Sequence, residues 1–233
     1  MRLRADPEAF PPTPPPSTTD AAVIAAHDWA SFGTITEMTN HWDRPGWTET
    51  TRAYYWMLAF PDTPSLIRHA RGCQLALQRL GFDNIDERGL HITLGRVGAV
   101  HETAATDLDD LMASLREVRP EAFTLRAVPL TASRGAIRYS VAPWKPIVEL
   151  HAALSVAGAA VGLPPRRRTS ALRPHLGIAY CNRSMPADVV REAVRPLRDL
   201  DGVDIRVPEV QLVELRREAR AYRWEVIHAV ELR

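Results

Sequence analysis

The sequence predicts an α+β fold of two pseudo-symmetric lobes, each an antiparallel or mixed sheet packed by helices, around a central cleft. A strand–helix–strand unit occurs twice in the 233 residues, and each copy closes on a strand that opens with histidine. Hairpin signals interrupt the alternation of strands and helices, which argues against a purely parallel sheet.

In chain order, residues 1–20 hold six prolines, a composition that predicts an extended or disordered tract. Residues 21–50 read as an N-terminal extension, a lid or an anchor. It has a helix over 21–32 and a turn, His41-Trp42-Asp43-Arg44-Pro45-Gly46-Trp47, flanked by two tryptophans. The bilobal domain occupies 51–233. Its first unit has an apolar strand over 54–60, a helix over 64–80 and a strand over 90–97. A helix over 103–118 and a strand over 122–131 follow. Ser133-Arg134-Gly135 reads as a hairpin turn. The second unit has a strand over 136–142, a helix over 146–161 and a strand over 173–180. A helix over 186–200 and two long strands, 203–216 and 222–232, complete the chain.

The two crossover helices carry matching stripes at three-and-four spacing. One is Leu66, Ala70, Cys73, Leu77 and Leu80; the other is Ile147, Leu150, Leu154, Ala157 and Val161. Pro64 and Pro146 suit a first helical turn, where a missing N–H costs nothing.

The candidate chemistry lies in His91-Ile92-Thr93-Leu94 and His175-Leu176-Gly177-Ile178. Alternation along a strand puts His91 and Thr93 on one face, and His175 and Gly177 on one face. By the same parity Tyr180 faces the helices and Ala179 the cleft. Side by side, the two strands bring two imidazoles together, enough for paired acid and base chemistry near neutral pH. Arg173 shares the His175 face and is a candidate phosphate contact.

Composition excludes several classes. A net charge of +1 gives no field to hold long nucleic acid, though a nucleotide or RNA end remains compatible. Cys73 and Cys181 make neither a disulfide framework nor a zinc cluster, and a reducing cytoplasm is the expected compartment. There is no signal-peptide apolar region and no run long enough to span a membrane. The carboxylates show no metal-ligand spacing, and there is no Walker loop, Cys/His cluster or nucleotide-binding Gly-rich loop, so neither a metal nor a cofactor is expected. Nothing marks a coiled coil, and a monomer is the default.

In this context the two histidine motifs resemble those of the two-histidine phosphoesterase superfamily, nearest its 2′-5′ RNA ligase-like and cyclic phosphodiesterase members. The resemblance covers roughly 52–232. It implies two lobes whose histidine strands face a cleft, and metal-independent hydrolysis of 2′,3′-cyclic phosphates or 2′-5′ phosphodiesters. One of His91 and His175 would be general base and the other general acid, without assigning which. Thr93 matches the Ser or Thr usual in that family two residues after histidine. Gly177 departs from it and lacks the hydroxyl that would donate to a phosphate oxygen.

Each signal has a plainer reading. His27, His41, His69, His101, His151 and His228 have no such context and read as structural or surface groups. Trp42 and Trp47 read as anchors of the extension ahead of base-stacking groups. Arg166-Arg167-Arg168 reads as a solvated loop. The competing function is a catalytically silent nucleotide- or RNA-binding module of the same fold, which Gly177 favours and the retained histidines oppose.

Overall fold

A computed structural model describes residues 2–43, 45–115 and 120–233. Its elements are α1 (Ala21–Gly33), β1 (Glu37–Met38), β2 (Arg52–Ala59), α2 (Pro64–Ala76), β3 (Asp83–Asn84) and β4 (His91–Ala99). Then come α3 (Ala105–Leu115), β5 (Phe123–Ala132), β6 (Ala136–Ala142), α4 (Trp144–Ala160) and β7 (His175–Tyr180). The chain ends with β8 (Met185–Pro186), α5 (Ala187–Val194), β9 (Val203–Val207), β10 (Glu209–Glu218) and β11 (Ala221–Glu231).

A four-stranded sheet runs β11-β10-β2-β4 and a five-stranded sheet runs β3-β7-β6-β5-β9; every strand pairing within them is antiparallel. The fold is therefore the expected α+β. The two units occupy matching places. In the first, β2 and β4 pair so that His91 lies opposite Ala59; in the second, β6 and β7 pair so that His175 lies opposite Ser140.

The helices interlock the halves. α2, which leaves the four-stranded sheet, packs against β7 and β9 of the five-stranded one, and α4 packs back against β4. Thus Gln74 on α2 donates to the carbonyls of Ile85 and Ile178, at 2.7 and 2.9 Å. The buried stripes of α2 and α4 meet in one continuous core with the inner faces of both sheets. α1 starts at Asp20, whose carboxylate accepts the N–H groups of Ala22 and Val23, and it covers β5 and β6.

Three expectations change. The strand expected over 203–216 is two strands, because Pro208 has no N–H to give a ladder; β9 pairs with β5, and β10 with β2 and β11. The helices expected to reach residues 80 and 200 end at Ala76 and Val194 and continue as short 3₁₀ turns, Gln78–Leu80 and Arg195–Leu197. Positions 116–118 of the helix expected over 103–118 lie outside the described residues; its described part starts at Ala105.

The proline-rich N-terminal tract is not loose. Leu3 and Ala9 are buried, and the carbonyls of Arg4, Pro11 and Pro12 accept hydrogen bonds from Arg173. Composition alone suggests disorder because prolines supply few donors; here a buried guanidinium supplies the donors. Among the described residues no helix is long and apolar enough to cross a membrane.

Candidate active site

A cleft of about 370 Å³ opens between the sheets. His91, Thr93 and Tyr55 line it from the four-stranded side, and His175, Gly177 and Tyr180 from the five-stranded side. The two motifs thus converge on one space, as their spacing predicts.

A local irregularity aims both motifs. On β4, Thr93 pairs with Met57 and Gly95 with Trp56, which leaves Leu94 as an extra residue. On β7, Gly177 pairs with Arg138 and Ala179 with Ile137, which leaves Ile178 extra. The aliphatic fourth residue of each motif is therefore a β-bulge, a feature that bends a strand and re-aims neighbouring side chains. The bulge in β7 also resets the alternation. Tyr180 pairs with Ala136, on the face of Arg138 and Ser140, so it turns to the cleft and Ala179 to the core. Simple parity places Tyr180 against the helices, and the bulge overturns it.

The two imidazoles are held alike. His91 Nδ1 lies 2.7 Å from the carbonyl oxygen of Gly89, and His175 Nδ1 lies 2.9 Å from that of Arg173. A carbonyl only accepts, so each Nδ1 carries the hydrogen. In the neutral ring, Nε2 is then the basic nitrogen. Burial pushes the His91 pKa below its ordinary value, against the raising effect of the Gly89 carbonyl. The rings of His91 and Trp224 meet at a steep angle of 68°, with centres 5.2 Å apart.

Arg173 does not reach the cleft. Its guanidinium is buried and donates to the carbonyls of Pro11, Arg4 and Leu172 at 2.9, 2.7 and 3.0 Å. β7 begins at His175, after Pro174, so the strand register assumed for Arg173 does not apply. Its role toward phosphate is replaced by anchoring the N-terminal tract.

Sequence reading passes over two other cleft residues, His41 and Tyr222, which line it together with Trp47. Trp47 and Tyr222 join Tyr55 and Trp224 over an apolar floor of Met57, Val213 and Leu215. Trp42 is buried instead, its Nε1 donating to Asp83 at 2.8 Å. The aromatic density of residues 41–47 is the available signal for His41; for Tyr222, at the start of a long strand, there is none. Among the described residues no cluster of three or more His, Cys, Asp or Glu side chains could hold a metal ion.

Two sheets presenting a pair of bulged histidine strands to one cleft define a two-histidine phosphoesterase fold. The chain belongs to the 2′-5′ RNA ligase superfamily, whose family model matches residues 61–219. Solved structures share the fold. One titled a phosphoesterase is 16% identical with a TM-score of 0.57, and Escherichia coli LigT in its apo form is 14% identical with a TM-score of 0.58. TT0787 of Thermus thermophilus is 15% identical with a TM-score of 0.55. In each case the match covers 78% of this chain and 98% of the other. A search of the curated proteins finds no match.

Proposed function

We propose that the protein is a metal-independent phosphodiesterase that opens a 2′,3′-cyclic phosphate or a 2′-5′ linkage of a nucleotide or RNA end. The observation that carries this reading is the matched pair of imidazoles, each with Nδ1 tied to a carbonyl and each lining one cleft. The superfamily assignment supports it, and structures of E. coli LigT with 3′-AMP and with phosphate show that a relative of this fold binds such groups.

His91, kept neutral by burial, takes the base role: Nε2 removes a proton from the attacking water. A P–O bond forms to that water and the bond to the ribose oxygen breaks. His175 acts as the acid and gives its proton to the leaving oxygen. The Thr93 hydroxyl, exposed in the cleft, donates to a nonbridging oxygen as charge grows there. Trp47 and Tyr55 offer ring faces to a base. Gly177 favours a second reading, a binding module of the same fold, because it removes a hydroxyl donor.

The test is turnover of 2′,3′-cyclic mononucleotides and 2′-5′ oligoadenylates in EDTA, with His91→Ala and His175→Ala alongside. Each substitution is expected to lower kcat by about 10²–10⁴-fold. The acid limb of kcat/KM, set by His91, is expected below the ordinary histidine value of about 6.5. Tight nucleotide binding without turnover would instead establish the binding module.

A further inference from the structure

We infer that Arg134, at the turn between β5 and β6, forms a subsite for a second phosphate, so that the preferred ligand is a nucleotide with a phosphate beyond the one that the histidines address. The inference rests on the phosphodiester reading of the cleft, and binding tests it apart from turnover.

The turn is fixed by its backbone. The N–H of Ser133 donates to the carbonyl of Ala136 at 2.8 Å, which closes the hairpin. The carbonyl of Arg134 accepts from the N–H of Thr39 at 2.7 Å and from its hydroxyl at 3.3 Å. The carbonyl of Gly135 accepts from the N–H of Cys181, just past the end of β7, at 3.0 Å. What these bonds leave to move is the Arg134 side chain. The residue is exposed and lines the cleft.

Among the described residues, Arg134 is the one lysine or arginine that lines the cleft with His91 and His175. No carboxylate of the described residues pairs with it, Glu8 and Asp43 of the same cleft included. Arginines on neighbouring elements are engaged elsewhere. Arg138 lies 3.9 Å from Asp28 and Arg220 3.8 Å from Asp83. Arg217 donates to the carbonyl of Trp42 at 2.7 Å, and Arg223 pairs with Asp86. A guanidinium stays charged at any working pH and presents a planar fork that fits phosphate oxygens. Of the cleft's carboxylates and its guanidinium, only the last attracts an anion.

Strand register separates this cation from the histidine pair. On β6, Ser140 lies opposite His175 and Ala136 opposite Tyr180. The step from Ser140 back to Ala136 covers about 13 Å at the rise of a strand, and Arg134 lies beyond it, at the turn. That span is longer than an arginine side chain, so the guanidinium does not share the phosphate at His175. The group it meets is a separate anion, either a 5′-phosphate or the phosphate of the next linkage. Tyr180 lies between the two levels and lines the cleft with Trp47 and Tyr55, which gives the intervening nucleoside aromatic surroundings.

The experiment measures binding of 3′-AMP, adenosine 3′,5′-bisphosphate and the 3′-phosphorylated dinucleotide ApAp by calorimetry in EDTA. The bisphosphate carries its second anion as a 5′-phosphate, the dinucleotide as an internal linkage. The tighter of these two is expected to bind the wild type roughly 10-fold better than 3′-AMP, and it identifies the source of the anion. Arg134→Ala is expected to remove most of that gain, with a smaller loss for 3′-AMP. Arg134→Lys, which keeps the charge but not the fork, recovers part of it. Added salt is expected to narrow the gap in the wild type. Equal affinity of the wild type for all three ligands overturns the inference. So does a loss for 3′-AMP as large as that for the tighter ligand, or wild-type protein that binds none of the three. An Arg134-dependent gain without histidine-dependent turnover would sink the hydrolase reading and leave the subsite standing. Turnover of cyclic mononucleotides without that gain would do the reverse.

Discussion

Gly177 and Ile85 are in near contact: a Cβ added at Gly177 would lie 3.1 Å from Ile85 Cδ1. That is tight for carbon atoms, but the neighbour is the flexible end of a side chain. Gly177→Ser is therefore expected to fold, at a cost of about 1 kcal/mol from crowding. Ile85→Val removes the crowded methyl and alone costs about 0.5–1.5 kcal/mol as a small cavity. The double variant is expected to be more stable than the sum of the two costs, because the deletion relieves the clash. Urea unfolding of the four proteins measures this, and strict additivity would rule the contact out.

Arg173 is expected to act on the N-terminal tract and not on substrate. Its guanidinium is buried among the carbonyls of Pro11, Arg4 and Leu172. Arg173→Ala leaves those acceptors without their donor, at an expected cost of about 3 kcal/mol. Limited proteolysis should then cut within residues 4–20, where the wild type resists. Unchanged stability with weakened nucleotide binding would return Arg173 to the cleft.

His151 predicts how stability responds to acid. It lies on α4 with Nδ1 2.7 Å from the Thr169 hydroxyl oxygen, and burial lowers its pKa to about 4. In the unfolded chain it titrates near 6.5. Between those values the unfolded state binds a proton that the folded state refuses. The contribution of His151 is thus complete above about pH 6.5 and shrinks as pH falls toward 4, by up to about 3 kcal/mol. Below that it changes no further. Unfolding free energies at several pH values should fall less steeply for His151→Gln than for the wild type. Parallel curves would contradict the assignment.

The parts of this protein legible in its sequence are those that local periodicity carries. The stripes of α2 and α4, the prolines at their first turns and the histidines opening β4 and β7 all follow from residue spacing. They are enough for the α+β fold, the duplicated unit and the placing of His91 and His175 along one cleft. Hairpin signals also place the β5–β6 turn correctly.

Tertiary structure decided the rest, and for one physical reason. Strand parity holds only while each strand keeps step with its partner, and the extra residues Leu94 and Ile178 are defined only against β2 and β6. Tyr180 therefore faces the cleft although counting sends it inward. Arg173 reads as a phosphate ligand until carbonyls far earlier in the chain, at Arg4 and Pro11, claim its donors. His41 has no motif of its own, and its place follows from backbone bonds to Cys181 and a ring contact with Tyr180. The sequence by itself determined which strands carry the chemistry. Long-range pairing determined which other side chains share the cleft with them.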